Sequence, residues 1–187
     1  MSYSDTSLLN ETLRVKEQYN ISIFVESGCQ IGDSLEILSN HFTKLYSCDI
    51  DKHYTLIAID RLIESKNIEI SNMDGAEHLE YLYNNGKINN NNFILFSDGH
   101  NYEDKKNTSQ LDELNIMIKL GLKPIVIYHD FKNPNMVSMK YDIFDVGENS
   151  IELIKNTLDE CYGVNNYNIT YNTESDCNVG YAIVIPK

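Results

Sequence analysis

Apolar positions along this chain switch repeatedly between a period near 3.6 and short continuous runs. Over residues 7–18, Leu8, Leu9, Thr12, Leu13 and Val15 recur at three- and four-residue intervals, which predicts an amphipathic leader helix. Residues 21–25, Ile-Ser-Ile-Phe-Val, are short and β-branched or aromatic and predict a first strand. Helices then follow over 33–40, 51–62 with Asp51 as its cap, and 76–83 with Leu79 and Leu82 inward; strands over 44–48 and 67–71 separate them. Phe93-Ile94-Leu95-Phe96 and residues 124–128 are continuous apolar runs, the pattern of strands buried on both faces of a parallel sheet. Between them, residues 109–120 carry Leu111, Leu114, Ile116, Met117 and Leu120 and end at Gly121, a crossover helix that makes the two strands parallel neighbours with right-handed linkage. Residues 84–92 and 131–149 read as loops, 151–161 as a helix, and 167–171 and 180–186 as β segments forming a hairpin-like edge.

Strand and helix alternate, so the class is α/β. With 187 residues and 42% hydrophobic content, one domain over 1–187 is expected, comprising a leader helix (1–20), a cofactor-binding core (21–131), and a substrate loop with C-terminal β segments (132–187). A net charge of -13 argues against nucleic acid as a partner, because such binding relies on Lys and Arg displacing counterions. Four dispersed cysteines without a Cys-x-x-Cys pair signal neither a zinc site nor a disulfide scaffold, and fit a reducing, cytoplasmic location. No basic segment leads into an apolar run at the N-terminus, and no stretch approaches the ~20 apolar residues of a membrane span.

Candidate chemistry begins at the end of the first strand. There Glu26-Ser27-Gly28-Cys29-Gln30-Ile31-Gly32 makes a glycine turn, and about 20 residues later the second strand ends at Asp49, where nucleotide-binding α/β folds hold a ribose. The spacing departs from the dinucleotide Gly-x-Gly-x-x-Gly. A carboxylate at Glu26 would repel a diphosphate and suits a ligand with an ammonium and a sulfonium, such as S-adenosylmethionine. The same glycines also serve helix packing in many proteins.

Asp98-Gly99-His100-Asn101-Tyr102-Glu103 after the fourth strand, Leu111-Asp112-Glu113-Leu114 in the helix beyond it, and Tyr128-His129-Asp130-Phe131 after the fifth complete the pattern. In these motifs the chain resembles the class I S-adenosylmethionine-dependent methyltransferases, specifically a small O-methyltransferase-like group, from about residue 21 to residue 131. The resemblance implies a Rossmann-like, doubly wound, mostly parallel seven-stranded sheet with an antiparallel C-terminal strand. It also implies that Glu26, Gly28 and Gly32 shape the methionine pocket, that Asp49 accepts both ribose hydroxyls, that Asp74 meets the adenine amino group, and that Asp98 borders the cofactor. Asp49 and Asp74-Gly75 have an alternative reading as a helix cap and a turn.

In metal-dependent relatives an acid ending the fourth strand and a polar pair ending the fifth hold a divalent cation, which implies Asp98 and Asp130 as ligands for Mg²⁺ or Mn²⁺. His129, or else His100, is the implied general base; helix capping and backbone hydrogen bonding are the alternatives for these four residues. His41, His53 and His78 match no motif and are expected at the surface or half-buried. The implied reaction is methyl transfer to a hydroxyl of a small-molecule or glycan acceptor gripped by the leader helix and by residues 131–149, where Met136, Met139, Tyr141, Phe144 and Asp145 are available; a homo-oligomer is compatible. Two departures, Gln30 in place of a glycine and Leu120-Gly121-Leu122-Lys123-Pro124 in place of Pro-Gly-Gly, keep open a rival: an inactive nucleoside-binding or protein-interaction module on the same fold.

Overall fold

The computed structural model describes residues 2–99 and 108–187. A short 3-10 turn (Ser2–Ser4) leads into α1 (Thr6–Gln18), β1 (Ile23–Ser27), α2 (Asp33–Leu38), β2 (Lys44–Asp49), α3 (Lys52–Arg61), β3 (Ile68–Asn72) and α4 (Gly75–Asn84). Then follow β4 (Phe93–Ser97), α5 (Ser109–Leu120), β5 (Ile125–Tyr128), the two-residue strands β6 (Ile143–Phe144) and β7 (Gly147–Glu148), α6 (Ile151–Tyr162), β8 (Tyr167–Tyr171) and β9 (Ala182–Pro186).

Seven strands form one sheet in the order β3-β2-β1-β4-β5-β9-β8. β1 to β5 run parallel, while β9 inserts antiparallel between β5 and β8. The expected fold is thus present, with the antiparallel C-terminal strand one place inside the edge. Period-two alternation sends successive side chains to opposite cores. Phe24, Ile94, Phe96, Ile127 and Ile183 face α1, α2 and α3. Val25, Phe93, Leu95, Val126, Tyr128 and Val184 face α4, α5 and α6. Because both faces are covered, β4 is buried throughout, which is why its sequence shows no polar alternation.

Three local expectations are corrected. Helix α2 stops at Leu38, two residues early, since the Asn67 amide donates to the carbonyls of Ser39 (2.8 Å) and Phe42 (3.0 Å) and diverts the chain. Residues 131–149 include the β6–β7 hairpin. His78 is fully buried on α4 at 1% exposure, where desolvation lowers its pKa to about 4 and keeps it neutral. Among the described residues no helix is long and apolar enough to cross a membrane.

The chain runs outward from β1 to β3 and returns to place β4 on β1's other side. The carboxyl ends of β1 and β4 therefore flank a topological switch point, the usual ligand crevice of open α/β sheets.

Candidate functional site

The glycine turn leaves β1 at this switch point. Gly28 has φ +88°, and a Cβ there would lie 2.5 Å from the Asp98 carbonyl oxygen, so a larger residue would push β4's end away from β1. The N–H groups of Gly28 and Cys29 both donate to the Cys48 carbonyl, at 2.9 and 3.0 Å, which fixes the turn against β2. Gln30 adopts φ +45° although it is not glycine, with its side chain exposed and its N–H donating to Asp49 Oδ2 at 2.8 Å. The missing glycine is thus absorbed by backbone strain. Gln30→Gly should leave stability unchanged or raise it by up to about 1 kcal/mol, because relief of left-handed strain outweighs the added unfolded-chain entropy. A lower denaturation midpoint would contradict that reading. Gly32, at φ +83°, is the N-cap of α2 and packs against Leu62 and Ala58; it does not line the main crevice.

That crevice, about 1510 Å³, is lined by Gly28, Asp49, Met73, Asp74 and Asp98 among others. It exceeds the ~300–1,000 Å³ of an ordinary ligand pocket. Asp49 does not cap α3; that role belongs to Asp51, whose Oδ1 accepts from the His53 N–H at 2.7 Å. Asp49 instead accepts the Gln30 and Asp51 N–H groups, both at 2.8 Å, which uses two of a carboxylate's roughly four acceptor positions. Asp74 caps α4 through a 2.8 Å bond from the Glu77 N–H and lines the crevice as well. Ile50, an apolar residue 55% exposed, and Met73 flank these acids in the lining and supply apolar walls that sequence reasoning missed. The available signal was their position one residue after Asp49 and one before Asp74.

Two buried carboxyls sit behind the turn, on opposite faces of the sheet. Glu26 (1% exposed) accepts the hydroxyls of Ser34 and Ser47 and lines a small recess with Gly28 and Asp98. Burial raises its pKa to about 7, against the lowering effect of those hydroxyls. Glu113, from α5, is equally buried; Ser97 Oγ donates to its Oε2 at 2.5 Å, while Glu113 Oε1 and Ser27 Oγ have no hydrogen-bond partner among the described residues. A Cβ on Gly75 would collide with Glu113 Oε1 and Ser27 Cβ, so those two side chains are adjacent. A proton on Oε1 directed at Ser27 Oγ would satisfy both orphans.

Burial raises the Glu113 pKa to about 7 despite the hydroxyl that Ser97 donates to it. The folded protein keeps this proton to about pH 7, whereas the unfolded chain releases it near the ordinary 4.5. Its contribution to stability is therefore full below about pH 4.5 and is lost as pH rises through about 7, by up to about 3 kcal/mol. Glu113→Gln should raise the denaturation midpoint at pH 8 and leave it nearly unchanged at pH 4.5. A pH-independent difference would contradict the assignment.

Beyond the turn, Asp98, His129 and Asp130 converge, with one potential ligand atom from each within 4.8 Å of the others. His129 Nδ1 lies 3.2 Å from Asp98 Oδ1 and 3.1 Å from Asp130 Oδ2. Burial pulls this imidazole's pKa down, but the charges and hydrogen bonds of the two carboxylates more than reverse that and bring it to about 10. As it stands, His129 holds a proton at neutral pH. Asp130 is left-handed, at φ +50°. His100 lies outside the described residues, as do residues 101–103 of the same motif. In the 131–149 loop, Met139 is only 6% exposed and packs on Asn133 and Asn172, so it supports the loop from within and is not presented to an acceptor.

No protein-family model matches the chain, and no curated protein matches it in sequence. Solved structures do match. Magnesium protoporphyrin IX methyltransferase from Synechocystis PCC 6803, with bound S-adenosylmethionine, aligns at a TM-score of 0.57 and 10% identity over 95% of this chain and 77% of that one. A candidate caffeoyl-CoA O-methyltransferase from Staphylococcus aureus aligns at 0.59 and 16% over 96% and 82%. A candidate rRNA methylase from Clostridium thermocellum aligns at 0.58 and 9% over 96% and 97%. In strand order, switch-point crevice and overall superposition, the chain has the fold of the class I S-adenosylmethionine-dependent methyltransferases.

Proposed function

We propose that the protein transfers a methyl group from S-adenosylmethionine to a hydroxyl of a small-molecule or sugar-like acceptor, with a divalent cation at Asp98, His129 and Asp130. One observation carries this reading: the Asp49-braced glycine turn and the acid–histidine cluster open at neighbouring strand ends, with Asp98 lining the crevice. When bound, S-adenosylmethionine supplies an electrophilic methyl. Asp49 offers its remaining acceptor positions to a ribose and Ile50 and Met73 offer apolar contact to an adenine, while Glu26, outside the main crevice in the small recess beside Gly28 and Asp98, would be the carboxyl for an ammonium. Two carboxylates and one imidazole converging within 4.8 Å suit Mn²⁺ or Mg²⁺, the imidazole favouring Mn²⁺. When bound, the cation would lower the pKa of the acceptor hydroxyl. His129, protonated in the arrangement seen here, serves as ligand or base only after giving up that proton.

The structural neighbours are named for a porphyrin, a coenzyme A ester and an rRNA, so the shared fold does not select an acceptor. Charge does favour one. Asp51, Asp74, Glu77, Glu80 and Asp112 line the crevice beside Lys52 and Lys119, and Lys119 is paired with Glu80 at 2.7 Å. Such a lining supports a neutral or cationic acceptor over a phosphate backbone. The test is incubation with methyl-labelled S-adenosylmethionine and separate pools of sugars, phenols, nucleosides and rRNA, with and without Mg²⁺ or Mn²⁺, read by mass spectrometry. Metal-dependent gain of one methyl by a small hydroxyl compound is expected; methylation of RNA alone would overturn the acceptor assignment, and no transfer in any pool would favour the binding-module alternative.

A further inference from the structure

Asn149 is fully buried immediately before Ser150, the N-cap of α6. Its side-chain amide donates to two consecutive carbonyls about twenty residues earlier in the chain, those of His129 at 3.1 Å and Asp130 at 2.9 Å. Its backbone closes the same loop: Lys132 N–H donates to the Asn149 carbonyl at 2.6 Å, and Asn149 N–H donates to the Asp142 carbonyl at 2.9 Å. Asp142 N–H in turn donates to the Asp130 carbonyl at 2.9 Å. The centre of this knot is the left-handed Asp130.

A residue other than glycine in that conformation costs about 1–3 kcal/mol and persists only where its surroundings over-determine it. Relaxing Asp130 to a negative φ would redirect its carbonyl away from the Asn149 amide and its carboxylate away from His129 Nδ1. The His129 N–H is separately tied to the Ser97 carbonyl at 3.1 Å, and the Phe131 N–H to the Gly180 carbonyl at 2.8 Å. One flank of the turn is thus anchored to the end of β4 and the other to the segment leading into β9, and the Asn149 amide spans the strained step between them.

We propose that Asn149 is a positioning residue, holding the His129–Asp130 turn in the conformation that aims both side chains at Asp98. The proposal rests on the reading of that cluster as the functional centre. Residues that orient metal ligands from behind affect metal affinity by about 10–100-fold when removed. The test compares Asn149→Ala and Asn149→Leu, which removes the amide's two donors at similar volume without adding a charge, with Leu158→Ala, a fully buried α6 residue outside the turn. Mn²⁺ affinity should fall at least tenfold in both Asn149 variants and hold in Leu158→Ala, while S-adenosylhomocysteine affinity stays within about twofold throughout. Should Asn149→Ala not fold, Asn149→Leu carries the same comparison. Wild-type Mn²⁺ affinity in the Asn149 variants would overturn the proposal. If the wild-type protein itself binds no Mn²⁺, the metal reading fails separately, and the comparison passes to the His129 ring N–H signal in ¹⁵N NMR. Loss or shift of that signal in the Asn149 variants alone supports the proposal; an unchanged signal overturns it.

Discussion

Asp49→Ala is expected to lower S-adenosylhomocysteine affinity by at least about 100-fold while the protein stays folded. Hydrogen bonds to a charged acceptor contribute about 1.5–3 kcal/mol each, and a ribose presents two hydroxyls, so loss of the carboxylate removes several kcal/mol of binding. A second effect acts in the same direction. Asp49 holds the Gln30 N–H, and Gln30 sits at φ +45°, so the substitution also frees a strained step of the glycine turn. Asp49→Asn keeps the shape and one acceptor oxygen, loses one of the two backbone bonds, and should lose only about tenfold. Calorimetric titration with a parallel thermal melt measures both. Affinity within about threefold of wild type in Asp49→Ala would remove Asp49 from the cofactor site.

Asp130→Ala is expected to do the opposite, sparing cofactor binding while divalent-dependent turnover falls by about 10²–10⁴-fold. Asp130 does not line the main crevice, and its described contacts are with His129, Asp142 and Asn149. Asp98 is a poorer probe. It lines the crevice, and its carbonyl lies against Gly28, so a change there mixes the two functions. Parallel measurement of S-adenosylhomocysteine affinity and of turnover with saturating Mg²⁺ or Mn²⁺ separates them. Equal loss of both in Asp130→Ala would contradict the division of roles between the turn and the cluster.

Most of the fold was legible because the strands signal themselves. The Phe93–Phe96 run reads as a strand buried on both faces, and the 109–120 periodicity indicates the crossover beside it. Convergence of Asp98, His129 and Asp130 followed from neighbouring strand ends, while His100, expected to join them, lies outside the described residues. What the sequence hid was mostly tertiary. His78 reads as an ordinary helix polar residue, yet α4 turns it inward. Glu113 lies in a recognisable helix, but nothing in its spacing reveals that Gly75, Ser27 and Ser97 close around its carboxyl. Asn149 bonds to carbonyls about twenty residues away, a pairing no local pattern encodes. Gln30 showed the converse: a missing glycine suggested a damaged turn, whereas the backbone takes the glycine-like conformation and the exposed residue lines the crevice.

Every role assigned above depends on S-adenosylmethionine binding in the switch-point crevice. Isothermal titration of the purified protein with S-adenosylmethionine and S-adenosylhomocysteine, each with and without Mg²⁺ or Mn²⁺, tests it most directly. Saturable one-to-one binding of both ligands, retained without metal, is the predicted result; no heat of binding for either ligand under any of these conditions would contradict it.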